Sequence, residues 1–398
     1  MRCALDVLTH RPVPAALLGA LLLLTGCAGL APLPPTPQFA ALPTAWAGVS
    51  AAPGPSAASQ SLLAWWQQFN DPLLTTLVTQ ALTANTSVRS AQAALRQARA
   101  LQDVAAAGLA PTLTTSGNAQ RVRASGSSNN RFGASLDASW EIDLFGGQRA
   151  GLAASTANAD ASAASLGDVQ VSLAAEVALA YISLRNAQAR LAIAEANLAS
   201  QQETLQITRW RLQAGLVDSL QAEQAQAASE QTRAGLSPLQ TALAQARHAL
   251  AVLTGQPPTA LDAVLATVAP VPQPSATLAL AGPADTLRQR PDVRAAELRL
   301  AAEWARLAQA DAALRPSLRL GGALGLNALT LGGLGNGGAV AGSLLAGITL
   351  PLFDGGALRG QQRAQQAVLD QAQEAWRASV LAALQEVENA LVALQGDR

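Results

Sequence analysis

The residue best placed for covalent chemistry is Cys27. It closes the run Leu24-Thr25-Gly26-Cys27, directly after an apolar stretch from Pro12 to Leu24 that is itself preceded by Arg2 and Arg11. A basic start, a short apolar core and small residues ahead of a cysteine form the pattern of a lipoprotein signal, in which cleavage leaves a lipid-bearing cysteine at the new N-terminus. Residues 1–26 are therefore read as a removable signal and Cys27 as the first, acylated residue of the mature chain. Ala28 follows, with no Asp at the position that resembles an inner-membrane retention signal. Residues 27–60 read as the lipid anchor and an extended linker.

The other reactive side chains set limits. Cys3 and His10 fall in the signal, leaving one cysteine and one histidine, His248, so no disulfide, conventional zinc site or cysteine-histidine catalytic pair can form within the mature chain. Ser, Asp and Glu are scattered along helix-like segments without a nucleophile, base and oxyanion constellation, and neither enzymatic activity nor a metal or cofactor is expected. Without the signal the balance is 24 basic against 25 acidic residues, which leaves no electrostatic footprint for nucleic acid. No internal apolar run reads as long enough for a transmembrane helix.

Three carboxylates do share a face. Phe132, Ala134, Leu136, Ala138, Trp140, Ile142 and Leu144 are apolar, and Arg131, Gly133, Ser135, Asp137, Ser139, Glu141 and Asp143 alternate with them. Period-two alternation predicts a β-strand between an apolar and an aqueous phase, and its length suffices for a tilted strand of a bilayer-spanning barrel. Asp137, Glu141 and Asp143 are then candidates to face a water-filled lumen, where carboxylates are tolerated. A half-exposed strand of a soluble sheet remains the alternative for this segment alone.

The elements that position these residues occur twice. Val88-Arg89 and Val293-Arg294 differ by 205 positions, as do Pro111 and Pro316; Gly146-Gly147 and Gly355-Gly356 differ by 209, and Glu176 and Glu386 by 210. This is an internal duplication, each copy reading as helix, strand, strand, helix. The first repeat spans 61–285, with a β-hairpin over 111–145 and a long helical hairpin over 148–255; the second spans 286–398, with a hairpin over 316–353. Gly146, Gly147, Gly355 and Gly356 mark the strand-to-helix turns. Ala124–Asn130 and the Gly-rich Leu331–Gly342 read as hairpin loops, the latter without the Lys of a phosphate-binding loop.

Val177, Leu184, Leu191, Leu198, Leu205 and Leu212 recur every seven residues beside Ala180, Ala187 and Ala194. This heptad predicts a helix over Leu166–Gln213 of roughly 70 Å, returning after Gly215 through Leu236, Leu243 and Leu250 and interrupted near Pro238. Four strands per chain leave two unpaired edges, which a bilayer does not tolerate, so copies of the chain must close the sheet. Three copies give twelve strands with room for water.

Several motifs together resemble those of TolC-type outer-membrane efflux lipoproteins, the NodT-like branch. They are Trp65-Trp66-Gln67-Gln68-Phe69-Asn70-Asp71-Pro72-Leu73, Arg290-Pro291-Asp292-Val293-Arg294-Ala295-Ala296-Glu297, Trp140-Glu141-Ile142-Asp143-Leu144-Phe145-Gly146 and Leu352-Phe353-Asp354-Gly355-Gly356. The resemblance implies a mixed α and β membrane protein, a homotrimer whose twelve-stranded β-barrel continues into a long periplasmic α-helical barrel. It implies a location in outer-membrane lipid and two partners, a periplasmic adaptor (membrane fusion protein) and an inner-membrane pump of the resistance-nodulation-division class. The implied function is a passive exit duct for drugs or other small molecules. A protein-secretion duct or a lipid-anchored adaptor is the alternative. Gly215, Leu216, Val217 and Asp218 resemble the family's adaptor-docking tip, and Asp218 reads equally as the N-cap of the returning helix.

At the offset of 210, Arg398 corresponds to residue 188, so the second copy is expected to lack its tip, its return helix and roughly seventy residues in all. No gate residue is carried over, and a tube missing one helical stave per protomer is expected to assemble poorly.

Overall fold

The computed structural model describes residues 43–47, 64–124, 126–274, 282–335 and 340–397. The signal, Cys27 and most of the linker lie outside the described residues, as does part of the Gly-rich loop.

A 3-10 turn, Trp65–Phe69, precedes α1 (Pro72–Ala84) and α2 (Thr86–Ala107), which leads into β1 (Thr112–Ala124) and β2 (Ser127–Ile142). Next come α3 (Gly147–Gln213), α4 (Ser219–Ala234) and α5 (Leu236–Leu253), and, after a helical turn at Asp262–Leu265, α6 (Pro283–Gln289) and α7 (Pro291–Ala312). The described chain ends with β3 (Ser317–Ala328), a 3-10 turn at Leu331–Gly335, β4 (Val340–Thr349) and α8 (Ala357–Asp397). The duplication is visible in these bounds. Both α2 and α7 have 22 residues, and their first residues, Thr86 and Pro291, differ by 205, as do their last. Gly147 and Ala357, which open α3 and α8, differ by 210.

Local chemistry sets the boundaries. Asp71 accepts hydrogen bonds from the Leu73 and Leu74 amides at 2.9 and 3.0 Å, and Pro72 behind it has no N–H to leave unsatisfied. Pro238 cannot donate to the Ala234 carbonyl, and the return helix divides at Gly235, between α4 and α5. The predicted loop at Ala124–Asn130 is corrected: β1 continues to Ala124 and β2 begins at Ser127. Ser and Asn suggest a loop by composition, yet Ser127, Ser128, Asn129 and Asn130 are ladder residues on a polar stretch of hairpin. α3 also begins 19 residues before the predicted Leu166, in an Ala-rich segment whose one large apolar residue is Leu152 and which carries no heptad signal. By length and composition α3 is apolar enough to cross a membrane, contrary to expectation. Alanine supplies much of that apolarity, and its stretch from Leu173 to Leu184 belongs to a protein core.

The strands form one antiparallel sheet in the order β1-β2-β3-β4. Its middle seam joins the repeats, with Trp140 opposite Leu320, Glu141 opposite Arg319 and Ile142 opposite Leu318. β1 and β4 each have one neighbour.

The chain divides into two compact units, each drawing on both repeats. One comprises 100–157 and 299–374, the sheet with its adjoining helix ends; the described parts of the other lie in 43–99, 158–298 and 375–397. In the helical unit, Leu74, Leu77 and Val78 of α1, Val88 of α2, Val177 and Leu184 of α3 and Leu250 of α5 are buried together. A polar clasp crosses this core. Tyr181 Oη donates to Asp71 Oδ2 at 2.8 Å, and Arg185 donates to Tyr181 Oη, to Gln188 Oε1 and to the Thr267 carbonyl. Desolvation by burial, foremost, holds the Tyr181 phenol above its ordinary pKa.

Gly255 ends α5 at φ +74°, and a Cβ there would stand 2.7 Å from the Ala84 carbonyl oxygen. Gly255→Ala therefore combines a left-handed backbone with a collision against backbone. It should lower the stability of the helical unit by about 1–3 kcal/mol, read as a fall in the thermal midpoint by circular dichroism.

Candidate functional site

Cross-strand register places side chains of one parity together over all four strands. One face holds Leu113 of β1; Phe132, Leu136, Trp140 and Ile142 of β2; Leu318, Leu320, Leu324 and Leu326 of β3; and Val340, Leu344 and Ile348 of β4. None is charged. Leu344 is 90% and Ile348 75% exposed in the single chain, so this face is an apolar surface without protein cover.

The other face is polar on the first hairpin and small on the second. It carries Thr112, Thr114, Ser116, Asn118 and Gln120 of β1, then Ser135, Asp137, Ser139 and Glu141 of β2. β3 and β4 add Arg319 and Asn327, with Gly321, Ala323, Gly325, Ala341 and Gly347 otherwise dominant and Leu345 the one large apolar member.

The three predicted carboxylates have different settings. Asp137 lies on the polar face and accepts from Ser135 Oγ at 2.6 Å, while Ser135 Oγ also lies 2.9 Å from Ser116 Oγ. Glu141 lies on the same face and pairs with Arg319 Nη2 at 3.0 Å, from the second repeat. Asp143 lies one residue beyond β2. Its Oδ2 accepts from the Arg149 backbone N–H at 2.9 Å and from Arg149 Nε at 3.1 Å, tying the strand end to the first turn of α3. Arg319 and Arg149 were not anticipated as partners; only the register and the turn geometry bring them there.

The two strand-to-helix turns match with one correction. Gly146 (φ +80°) directly precedes α3 and Gly356 (φ +87°) directly precedes α8, so the structural equivalents differ by 210, not the 209 of the Gly-Gly pairs. Gly147 is the first residue of α3, and Gly355 (φ +66°) is an additional turn residue. Asp354 receives the Gly356 and Leu358 amides at 2.8 and 2.7 Å, the counterpart of Asp143. Beside the first turn, a cavity of about 260 Å³ is lined by Glu141, Asp143, Phe145, Gln309, Arg315 and Pro351, among others, and Arg315 covers the Phe145 ring at 5.4 Å.

In the helical unit, Gly215 (φ +70°) closes α3: its amide donates to the Leu212 carbonyl and the Leu216 amide to the Arg211 carbonyl. Asp218 is the N-cap of α4, receiving the Gln221 amide at 3.0 Å. Between them Leu216 is exposed and Val217 half-buried. Among the described residues no three His, Cys, Asp or Glu side chains converge as a metal site. Together these features make a wall with one apolar and one wet side, and a helical hairpin that presents a turn.

Comparison with known proteins agrees with this geometry. The family model described as outer membrane efflux protein matches residues 77–256 and 282–398. The chain is 32% identical to nodulation protein T of Rhizobium leguminosarum bv. trifolii, covering 84% of this chain and 73% of that one. It is also 32% identical to the toluene efflux pump outer membrane protein TtgF of Pseudomonas putida, covering 90% of this chain and 77% of that one. The solved outer-membrane channel OprN superimposes with a TM-score of 0.81 at 37% identity, over 89% of this chain and 81% of that one.

The Asp143 turn has a pH signature. Burial alone would raise its pKa, but the Arg149 backbone and guanidinium and the Gln148 amide outweigh it and hold the carboxyl below the ordinary range. A carboxylate with a depressed folded-state pKa stabilises above its unfolded pKa and loses that contribution as pH falls through the folded value. Asp143→Asn should therefore weaken the native state at neutral pH and show a shallower loss of stability than the parent below about pH 4, measured by thermal unfolding across pH.

Proposed function

The chain belongs to the outer membrane efflux protein family, and from that premise we propose that it is the outer-membrane duct of a tripartite efflux system. One observation supports this most directly: a four-stranded sheet with a bare apolar face, a wet face and two single-neighboured edges, β1 and β4. In hydrocarbon an unpaired edge leaves each free N–H and C=O without water, at several kcal/mol per group. Joining β4 of one copy to β1 of the next satisfies them, and three copies give a closed twelve-stranded barrel with the polar parity inside.

In this reading the chain performs no covalent step. The inner-membrane pump, of the resistance-nodulation-division class, supplies the energy; the periplasmic adaptor engages the Gly215–Asp218 turn and shifts the duct between closed and open states. Asp137 and Glu141 hydrate the lumen wall, and Asp143 fastens the wall to α3. Acylated Cys27 tethers each protomer to the outer membrane. The cargo is drugs or other small molecules. The adaptor alternative requires one hairpin inserted in a compact β domain, whereas here two repeats share a sheet. Nothing in the relatives favours the protein-secretion alternative.

Cysteine cross-linking tests the closure. Ser343→Cys in β4, combined in turn with Thr112→Cys, Thr114→Cys, Ser116→Cys and Asn118→Cys in β1, should give covalent dimers and trimers on non-reducing gels at one or two adjacent β1 positions. If outer-membrane protein cross-links at none of them, closure through these edges is wrong. At the turn, Asp218→Asn retains the capping oxygen but loses the charge. It should preserve helicity while reducing cross-linking to the adaptor and raising drug susceptibility; behaviour equal to the parent would leave Asp218 a cap alone.

A further inference from the structure

On the first hairpin the apolar face of the sheet ends abruptly at one pole. On β2 it runs from Ile142, near the helix-bearing end, to Phe132, eleven residues whose ten steps span about 34 Å along the strand and about 26 Å along a membrane normal at a tilt of ~40°. That matches the ~25 Å apolar band of outer-membrane barrels. Trp140 marks the lower border, its indole donating to the Leu109 carbonyl at 3.0 Å, as expected of an interfacial aromatic.

Beyond Phe132 the same parity changes character at once. Phe132 faces Ala119 on β1; the next same-face pair is Asn130 with Arg121, and the one after is Ser128 with Arg123. Arg121 lies about 5 Å and Arg123 about 10 Å beyond the apolar border along the normal, in the headgroup layer. Arg121 Nη2 already donates to Ser128 Oγ at 3.3 Å, which draws these groups together. Arg121, Arg123, Ser128 and Asn130 thus form a patch of donors on the lipid side of the hairpin tip. No carboxylate answers them: the sequence has no Asp or Glu from Thr112 to Leu136 or from Ser317 to Phe353.

We propose that this patch binds the phosphates of the phosphorylated glycolipid in the outer leaflet, with Arg121 and Arg123 straddling one phosphate group. The inference rests on the channel reading, which puts the helix-bearing end in the periplasm and the hairpin turns outside. Residues two apart on a strand place their guanidinium groups on one face about 7 Å apart, and each supplies charge-assisted hydrogen bonds to phosphate oxygens. Arg131, opposite Gln120, lies at the same pole on the other face and is an internal control for face against mere charge.

The test uses the purified full chain and native mass spectrometry with bisphosphorylated lipid A, the same lipid A after phosphatase treatment, and phosphatidylglycerol. The parent should bind bisphosphorylated lipid A about tenfold more tightly than either of the other two. Arg121→Gln with Arg123→Gln should abolish that preference, and Arg131→Gln should leave it intact. Equal binding of all three lipids by the parent overturns the proposal without needing any variant, as does an equal loss in Arg131→Gln. Failure of the channel reading is distinguishable: the chain would then be absent from outer-membrane fractions, whereas an outer-membrane channel indifferent to the phosphates sinks this inference alone.

Discussion

A backbone amide in hydrocarbon has no water to turn to, and that constraint organises the sheet. Every strand must find a neighbour on both sides. Within the chain β2 has a neighbour on both sides from Phe132 to Ser139 and β3 from Leu318 to Leu326, while β1 and β4 meet the demand on one side only. The seam that completes β2 and β3 is the seam between the repeats, so neither repeat alone could present even two satisfied strands. Duplication and closure answer the same shortage of backbone partners, once within the chain and once between copies.

The two hairpins keep the rule and divide the labour. Both supply Leu and Ile to the apolar parity, where cohesion with lipid is required. On the opposite parity the first hairpin places hydroxyls and carboxylates, and the second places mainly Gly and Ala. Small side chains there hold water by leaving room for it, whereas Ser, Thr and Asp hold it by hydrogen bonding. The difference is tolerable because a wet face needs only to avoid large apolar area, a weaker demand than the one lipid imposes on the other face.

How legible all this is from sequence follows from which interactions are periodic. The alternation of Phe132 to Ile142 is local and strict, so the strand and its faces could be read directly. It also continues to Asp143, which the ladder does not include, because period two persists one residue past the last partner. The core of α3 is legible from Val177 to Leu212 through its heptads, but not from Gly147 to Leu166, where Leu152 is the one large apolar residue before Leu166 and no repeat can be counted. Ser127 to Asn130 read as a loop because Ser and Asn are turn formers; beyond the apolar band both faces meet polar surroundings, and nothing forbids them in a ladder. The Asp71-Tyr181-Arg185 clasp joins residues 110 apart by single hydrogen bonds, and no spacing rule reaches it.

Charge is segregated along the sheet, and the pairing of Glu141 with Arg319 decides what that means. Asp137 and Glu141 sit toward the helix-bearing end and Arg121, Arg123 and Arg131 toward the hairpin turns. Taken singly, the acids would make the inner parity an anionic ring when copies assemble. Arg319 cancels Glu141 at 3.0 Å, leaving Asp137 as the uncompensated carboxylate of that wall, with Arg131 of opposite sign farther along the same parity. Asp137 and Arg131 stand six residues apart on β2, about 20 Å along the strand; across a Debye length of about 8 Å each is screened from the other, so the wall carries isolated charges and no continuous field along its length. Such a wall suits a conduit that leaves the choice of cargo to the machinery feeding it.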